Sequence, residues 1–354
     1  MGNMVSNLNE YFGKRVFITG DTGFKGSWLA LWLSQLGAET RGYALPAQNR
    51  EDHYNSAGVS SDIDHVDGDI RDFERLSRSM LEFEPEIVFH LAAQAIVRRS
   101  YRDPRETFET NVMGSVNVLE SARYCKKLRA IIYVTSDKCY LNKEWAWGYR
   151  ENDELGGHDP YSASKAAAEI VLSSYRRAFF SKVTGLGAAS VRAGNVIGGG
   201  DWAEDRIVPD CIRALSAKKP IEIRNPLATR PWQHVLEPLF GYLRLGLALF
   251  KEPILYSEAW NFGPESSSFK TVEELVRLII DEWGEGDMNA NYSTEAPHEA
   301  RLLHLNCDKA HSVLNWSPRW DFENTICKTI DWYKAGNKRE TSLNQIEEFT
   351  GDNI

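Results

Sequence analysis

The sequence predicts an α/β fold built on a doubly wound parallel sheet, followed by a smaller mixed α/β domain that binds substrate. Two observations carry this prediction. Short apolar segments alternate with helical segments over the first half of the chain, and a glycine-rich turn follows the first apolar segment. Such alternation is typical of βαβ units, whose helices cover both faces of a parallel sheet. Together with the glycine turn, it predicts a Rossmann domain.

The strands and helices of this domain can be assigned in order along the chain. Arg15–Thr19 is apolar and ends at a glycine, and residues 26–36 show helical spacing of apolar side chains before Gly37 stops the helix. Further strands are expected at 40–45, 63–66, 86–89, 130–135 and 185–191. Further helices are expected from Asp72, over 104–125 and over 161–181.

The regular alternation fades after Arg192, so a domain boundary is expected there. We predict a Rossmann domain over 1–190, a substrate domain over 191–345 with some later segments packing back on the first domain, and a polar, frayed tail over 346–354. Within the second part a helix is expected near Pro209, a strand at 220–224, a helix over 271–283 behind a capping box, a strand at 301–305 and a helix from Asp308.

Composition narrows the functional class. The net charge is −9, which argues against a nucleic-acid partner, because phosphate binding needs a basic face. The five cysteines have no metal-ligand or paired spacing, so reduced thiols and no metal site are expected. No apolar run approaches the length of a membrane helix, and the N-terminal residues lack the apolar core of a signal peptide. A cytoplasmic protein with no membrane partner is the simplest expectation.

The glycine turn predicts a dinucleotide site. Gly20, Gly23 and Gly26 stand between the first strand and the first helix, and their spacing is one residue longer than the usual fingerprint. Glycines at such a turn let a pyrophosphate approach the backbone at the helix N-terminus. The residues between them complete the predicted cofactor site: Thr22, Phe24 and Lys25.

The nature of the dinucleotide stays open at this point. No acidic residue stands at the end of the second strand, where one would bind the adenosine ribose. Arg41 would favour a 2′-phosphate, but it lies within the strand and not at its tip. Asp69 and Ile70 follow the third strand, where Asp69 could reach the adenine. NAD is expected, with NADP as the alternative.

A tyrosine and a lysine four residues apart predict hydride chemistry. Tyr161 and Lys165 share one helix face. A tyrosine with its ordinary pKa of about 10 is a weak base near neutrality, and a nearby cation favours its phenolate. An activated tyrosine can remove a hydroxyl proton while hydride leaves the same carbon.

These motifs, with the segment His90-Leu91-Ala92-Ala93-Gln94 and Asn111 in the next helix, resemble the extended short-chain dehydrogenase/reductase family over nearly the whole chain. The resemblance implies that Leu91, Ala92 and Ala93 contact the cofactor and that Gln94 and Asn111 contact the substrate. It also implies a homodimer or homotetramer paired through the two long helices. His90 is expected to be a packing residue.

Ser136, Asp137 and Lys138 follow the fifth strand and indicate a more specific reaction. Nucleotide-sugar 4,6-dehydratases, which this region resembles, carry Asp-Glu after the hydroxyl residue, whereas this chain has Asp-Lys. In such a reaction Ser136 would bind the reacting sugar oxygen, and Asp137 would be the acid if burial raised its pKa. Lys138 would be the base if burial lowered its pKa.

Two longer segments, 145–160 and 192–202, resemble the branch of these dehydratases that acts on CDP-glucose. The identity of the base rests on this resemblance, because no residue spacing reads cytosine. Substrate contacts are expected from Asn195, which matches a family position, and from three arginines that could bind a diphosphate: Arg206, Arg230 and Arg301.

Two alternatives remain. An epimerase or reductase of the same fold would need Tyr161 and Lys165, but it has no use for an acid and a base after Ser136. A catalytically inactive dinucleotide-sensing protein would commonly lack the tyrosine or the lysine, and both are present.

Overall fold

A computed structural model describes residues 7–182, 185–290 and 303–351. Three of the sequence predictions therefore fall wholly or partly outside the described residues. These are the substrate contact expected from Arg301, the first two residues of the strand expected at 301–305, and the last three residues of the tail expected over 346–354. Leu305 itself forms an isolated bridge with Tyr149.

The first part of the chain alternates strands and helices as predicted. Its strands are β1 (Arg15–Thr19), β2 (Glu39–Ala44), β3 (Asp64–Asp67), β4 (Ile87–His90), β5 (Ala130–Val134) and β6 (Gly187–Arg192). Its helices are α1 (Phe24–Gln35), α2 (His53–Ser56), α3 (Phe73–Phe83), α4 (Val97–Arg102), α5 (Pro104–Phe108), α6 (Ser115–Ala122) and α7 (Pro160–Ala178). A π-helical segment, Glu109–Gly114, joins α5 to α6, so the long helix predicted here is continuous but not uniform.

The second part contains shorter strands among longer helices. Its strands are β7 (Val196–Ile197), β8 (Ile221–Ile223), β9 (Thr229–Pro231), β10 (Gln233–His234), β11 (Ala259–Asn261), β12 (Phe269–Thr271) and β13 (Met288–Ala290). Its helices are α8 (Ile207–Ser216), α9 (Leu236–Lys251), α10 (Pro253–Tyr256), α11 (Val272–Trp283), α12 (Asp308–Leu314), α13 (Phe322–Lys334) and α14 (Lys338–Thr350). The capping box predicted at Thr271 is present, with Glu274 as its partner.

Seven parallel strands form the central sheet, in the order β11-β6-β5-β4-β1-β2-β3. The direction of winding reverses between β1 and β4, and ligands of open α/β sheets bind at the carboxyl ends of the strands at such a point. Apolar clusters cover both faces of the sheet, as a doubly wound fold requires. The predicted fold class is confirmed.

Helix α9 was not predicted from the sequence. It runs beneath the sheet, and fourteen of its sixteen residues, from Leu236 to Leu249, are buried. A helix that is apolar on all sides lacks the periodic pattern from which an amphipathic helix is recognised. Both α9 and β11 pack on the first part of the chain, as expected for some later segments, while the division at residue 190 stays a prediction.

The prediction of a frayed polar tail was wrong for residues 346–350. These residues form the last turns of α14, where Ile346 and Phe349 are buried. The Phe349 ring meets the rings of Trp32, Phe240 and Trp320 with centroid distances of 5.1–6.0 Å. Charged residues between these apolar positions concealed an amphipathic helix.

Within the described part of the chain, no helix is both long and apolar enough to cross a membrane. In the same residues no group of three or more histidine, cysteine, aspartate or glutamate side chains is arranged to hold a metal ion.

Candidate active site

A cavity of about 1260 Å³ lies at the carboxyl ends of β1, β4 and β5 and extends beneath the second part of the chain. Of the described residues that the sequence proposed for catalysis, cofactor binding and substrate binding, all but Asn111 line it. Segments far apart in sequence, from Gly20 to Arg230, thus meet around one space.

The glycine turn forms one wall of the cavity. Gly20 has a φ of +80°, and a Cβ atom at this position would lie 2.7 Å from the backbone nitrogen of Ala92. A Cβ on Gly26 would lie 2.0 Å from the carbonyl oxygen of Gly20. Gly23 caps α1 without a side-chain hydrogen bond, so the first amides of the helix are not capped by a side chain. This open, positively polarised helix end fits a pyrophosphate.

The adenine end of the predicted cofactor site lies beside Asp69. The Asp69 carboxylate accepts hydrogen bonds from the Arg71 guanidinium, the shortest at 2.6 Å, and this pairing lowers the pKa of Asp69. The hydroxyl of Thr22 donates to the carbonyl oxygen of Leu45 at 2.9 Å, so Thr22 closes this end of the turn. Arg41 points elsewhere, because its Nε donates to Asp64 at 2.6 Å and its side chain does not line the cavity.

Asn111 has a different position from the one predicted. Its side chain is buried, accepts from the backbone N–H of Gln94 at 2.8 Å and donates to the Ser164 hydroxyl at 2.9 Å. It therefore joins the segment after β4 to α7 without lining the cavity. Gln94 does line the cavity, although its side-chain amide donates to Thr107 at 2.9 Å.

His90 is a packing residue, as predicted. Its ring nitrogens are hydrogen-bonded with Thr19 at 2.6 Å and Ser115 at 2.9 Å. Burial lowers the pKa of His90 to about 3, so the ring stays neutral near pH 7.

The residues after β5 form the centre of the site. Asp137 begins a short 3₁₀ turn for which Ser136 is the N-cap, and the backbone N–H of Lys138 donates to the Ser136 hydroxyl oxygen at 3.2 Å. The Ser136 hydroxyl donates to Oδ1 of Asp137 at 2.9 Å. The Asp137 carboxylate lies directly against Gly194, where a Cβ would stand 1.8 Å from Oδ2, so only glycine leaves room for it.

Helix α7 places Tyr161 and Lys165 in the lining of the same cavity. Asp159 caps this helix by accepting from the backbone N–H of Ser162 at 2.9 Å, which places Tyr161 in the first turn. Burial raises the pKa of Tyr161 to about 12, whereas hydrogen bonding with the Ser136 hydroxyl lowers it. Burial lowers the pKa of Lys165 to about 8, and its Nζ donates to the carbonyl oxygen of Val134 at 3.5 Å.

A buried ion pair beneath these residues was missed by the sequence analysis. Glu169 lies one turn beyond Lys165 and binds the Arg192 guanidinium, with 2.8 Å between Arg192 Nε and Glu169 Oε1. The Glu169 carboxylate also accepts from the hydroxyls of Thr135 at 2.5 Å and Ser190 at 2.7 Å. Its position four residues after Lys165, on the same helix face, was the available signal.

Arg192 also binds the aromatic segment that follows the turn at Ser136, Asp137 and Lys138. The rings of Trp145, Tyr149 and Tyr140 stack in series, with centroids 5.5 and 5.2 Å apart. The Tyr140 hydroxyl accepts from Arg192 Nη1 at 2.7 Å. The stack therefore fixes the segment that follows Ser136, Asp137 and Lys138.

Lys25 lines the cavity close to other charged side chains. Burial lowers its pKa to about 8, and Arg206 and Lys165 lower it further, whereas Asp137 and Asp201 act in the opposite direction. Arg206 in turn donates to Asp201 Oδ2 at 2.7 Å. The basic side chains of Lys165 and Arg206 thus lie near Lys25 in the cavity, together with Asp137 and Asp201.

A second charged pair lies behind the glycine turn. The buried Asp21 carboxylate accepts from Nδ1 of His65 at 2.7 Å, and the other ring nitrogen of His65 is 3.1 Å from Asp67. The hydrogen bond with Asp21 raises the pKa of His65. Gly42 in β2 makes room for the pair, since a Cβ there would lie 2.2 Å from the Asp21 carboxylate.

Comparison with known proteins identifies the family. The family model described as GDP-mannose 4,6 dehydratase matches residues 17–329. The CDP-glucose 4,6-dehydratase of Salmonella typhimurium is 49% identical over 339 residues, which cover 95% of this chain and 94% of that protein. The dTDP-glucose 4,6-dehydratase of Streptomyces antibioticus is 30% identical and covers 90% of this chain and 92% of its own length.

Solved structures agree with the fold. The dTDP-glucose 4,6-dehydratase of Bacillus anthracis, in complex with NAD, has a TM-score of 0.75 at 22% identity and covers 91% of this chain and 97% of its own. The dTDP-glucose 4,6-dehydratase of Streptomyces venezuelae, with NAD bound, has a TM-score of 0.74 at 23% identity. The match covers 90% of this chain and 97% of that one.

The His65–Asp21 pair predicts a pH-dependent stability. A histidine whose pKa is raised by folding stabilises the fold fully below its unfolded pKa, near 6.5, and loses this contribution as the pH rises through the folded value. We therefore expect the melting temperature of the dinucleotide-free protein to fall more between about pH 6 and pH 9 than that of His65→Gln, which keeps a donor for Asp21 but does not titrate. If the melting temperatures of the two proteins depended on pH in the same way, the pair would make no pH-dependent contribution to stability.

Proposed function

The chain belongs to the GDP-mannose 4,6-dehydratase family, and from this membership we propose that it converts CDP-glucose into CDP-4-keto-6-deoxyglucose. The 49% identity over 95% of the chain shows a nucleotide-sugar 4,6-dehydratase, a hydro-lyase. The proposal adds the substrate. It is supported by the resemblance of the aromatic segment and of residues 192–202 to the CDP-glucose branch, and by the name of the 49% identical relative.

One observation carries the proposed roles of the residues. Tyr161 and Lys165 from α7 and Ser136, Asp137 and Lys138 from the end of β5 line the same cavity. A tyrosine and lysine alone would serve many oxidoreductases. An acid and a base beside them are what water elimination needs.

We propose NAD as the resident cofactor. The turn from Gly20 to Gly26 fits a pyrophosphate, because it leads to amides of α1 that no side chain caps, and a Cβ at Gly20 or Gly26 would collide with neighbouring backbone atoms. NAD is favoured over NADP because Arg41 is held by Asp64 and does not reach the cavity. When bound, the dinucleotide supplies the hydride acceptor for C4 and the hydride donor for C6.

The side chains supply the proton transfers. Tyr161 takes the proton of the C4 hydroxyl, and Lys165 stabilises the phenolate by its charge. The resulting ketone acidifies the C5 proton, which Lys138 removes. Asp137 protonates the departing C6 hydroxyl. An epimerase would need neither of these last two steps, so Asp137 and Lys138 favour the dehydratase over an epimerase.

The substrate diphosphate needs cations or N–H donors. Arg206 and Arg230 line the side of the cavity formed by the second part of the chain, next to Asn195. Asn195 has a φ of +50°, a left-handed conformation that asparagine adopts more readily than most residues. We assign the diphosphate to these residues, and Lys25 adds positive charge from the opposite wall.

We also propose a homodimer in the cytoplasm. Helix α7 packs beside the segment from α5 to α6, and both carry an exposed apolar side chain: Ile170 at 60% and Met113 at 55%. Exposed apolar residues of this size on neighbouring helices are typical of a subunit interface. The five free cysteines are those expected of a reducing compartment.

The substrate assignment predicts the outcome of one assay. The purified protein with NAD should remove one water from CDP-glucose, while dTDP-glucose, GDP-mannose and CDP-glucose with NADP should react far more slowly. Product mass measures this directly. Tyr161→Phe should lower the rate on the order of 100-fold or more, because the base is lost. Turnover of dTDP-glucose at the rate of CDP-glucose would refute the proposed substrate.

The role of Lys138 can be tested by isotope exchange. In deuterated solvent, Lys138→Ala should lose deuterium incorporation at C5 while its affinity for the dinucleotide stays unchanged. Lys143→Ala is the matched control, because Lys143 lines the same cavity but is paired with Glu154 at 2.9 Å. Wild-type exchange in Lys138→Ala would remove Lys138 from the mechanism.

The proposed interface predicts the mass in solution. The wild type should have twice the mass of the 40.2 kDa chain by light scattering, and Ile170→Glu should shift it toward the monomer. Ile254→Glu is the control, since Ile254 is 93% exposed on α10, away from α7. A monomeric wild type would contradict the proposal.

A further inference from the structure

A buried carboxylate lines the cavity to which the proposed function assigns an anionic substrate. Asp201 lies in the lining formed by the second part of the chain, beside Arg206. A carboxylate in this place repels a diphosphate, and its burial also costs hydration free energy. The partners of Asp201 explain why the cavity contains it.

Both carboxylate oxygens of Asp201 accept hydrogen bonds. Oδ2 accepts from Nη1 of Arg206 at 2.7 Å, and Oδ1 accepts from the backbone N–H of Ala203 at 3.2 Å. The Asp201 side chain is 6% exposed, whereas the Arg206 side chain is 34% exposed. A guanidinium has five N–H donors, so the bond to Asp201 does not exhaust its capacity to bind phosphate oxygens. The carboxylate is thus buried behind an arginine that stays accessible from the cavity.

The backbone that carries Asp201 is packed on α13 and α1. The Tyr333 hydroxyl donates to the carbonyl oxygen of Asp201 at 2.6 Å, and the Trp28 indole donates to the carbonyl oxygen of Gly199 at 2.9 Å. A Cβ on Gly199 would lie 2.0 Å from the Trp332 ring, so only glycine lets the chain pass this close to it. These contacts make Asp201 a fixed point in the lining of the cavity.

The backbone of Arg206 is also fixed, because Arg206 is the N-cap of α8 and its carbonyl oxygen accepts from the N–H of Asp210 at 3.0 Å. Its side chain is long and has many rotamers, which a ligand would have to restrict on binding. The hydrogen bond to Asp201 restricts them in advance. Holding a binding group in its bound conformation removes part of the entropic cost of association.

We propose that Asp201 is a positioning residue that holds the Arg206 guanidinium in the conformation that binds the substrate diphosphate. This inference rests on the proposed function and extends it, because Asp201 acts through Arg206 and does not contact the substrate. Asp201 also repels the diphosphate, but the hydrogen bonds from Arg206 and Ala203 offset its charge. The gain in order therefore outweighs the repulsion.

The affinity for CDP tests the inference, because CDP carries the diphosphate without the reacting sugar. With the protein saturated with NAD, calorimetry should show that Asp201→Asn binds CDP about 10-fold more weakly, since asparagine has the same shape but makes a weaker hydrogen bond with Arg206. In turnover of CDP-glucose, KM should rise by a similar factor while kcat stays within about 2-fold, as expected when ground-state and transition-state binding weaken equally.

Asp210→Asn is the matched control. Asp210 pairs with Arg213 at 2.5 Å on the surface of α8, and neither residue lines the cavity. This variant should bind CDP with the affinity of the wild type. Both variants should also bind NAD as the wild type does, which shows that the dinucleotide half of the site is intact.

A double-mutant cycle separates positioning from a general structural role. In the Arg206→Ala protein Asp201 has no guanidinium to hold, so adding Asp201→Asn should change the CDP affinity by less than about 2-fold. An equal loss of affinity from Asp201→Asn in both backgrounds would mark the carboxylate as structural and overturn the proposal. Unchanged or tighter binding of CDP by the single variant would also overturn it.

The same cycle with dTDP and GDP separates this inference from the proposed substrate. If the wild type prefers one of these nucleotides, that nucleotide should show the same loss in Asp201→Asn, because the inference concerns the diphosphate and not the base. A wild type that binds none of the three would contradict both the inference and the proposed function.

Discussion

The buried ion pair between Glu169 and Arg192 holds the two halves of the site together. Glu169 belongs to the helix that carries Tyr161 and Lys165, while Arg192 ends β6. Through Thr135 the same carboxylate also binds the residue just before Ser136. Breaking a buried pair by removing one partner typically costs about 3–5 kcal/mol. More important for chemistry, the pair sets the distance between the tyrosine on α7 and the acid after β5.

The basic side chains that line the cavity contrast with the negative net charge of the whole chain. The whole sequence has a net charge of −9, yet Lys25, Lys165 and Arg206 lie close to one another in the cavity. Burial lowers the pKa of both lysines to about 8, because removing a cation from water favours its neutral form. Asp137 and Asp201 compensate part of this positive charge, and the phosphates of the two proposed nucleotides would compensate more. The fold thus gathers basic side chains at one cavity of an acidic protein.

The sequence predicted the alternation of strands and helices and the motifs that line the cavity, because these signals are local. A glycine turn between a strand and a helix, and a tyrosine four residues before a lysine, need only neighbouring residues to be recognised. Helix α9 and the last turns of α14 were missed for different reasons. Helix α9 is buried on all sides and lacks the apolar periodicity of a surface helix, whereas α14 has few apolar residues, which are separated by polar and charged ones.

The sequence by itself determined the fold class and the place of the glycine turn, and it named the side chains for which we propose a catalytic role. Only the tertiary structure decided how those side chains are connected. It turned Asn111 from an expected substrate contact into a bridge between Gln94 and Ser164, and it directed the single hydrogen of Ser136 to Asp137. The reason is physical: residue type fixes how many hydrogen bonds a group can make, but its partners come from distant segments that meet only when the chain folds.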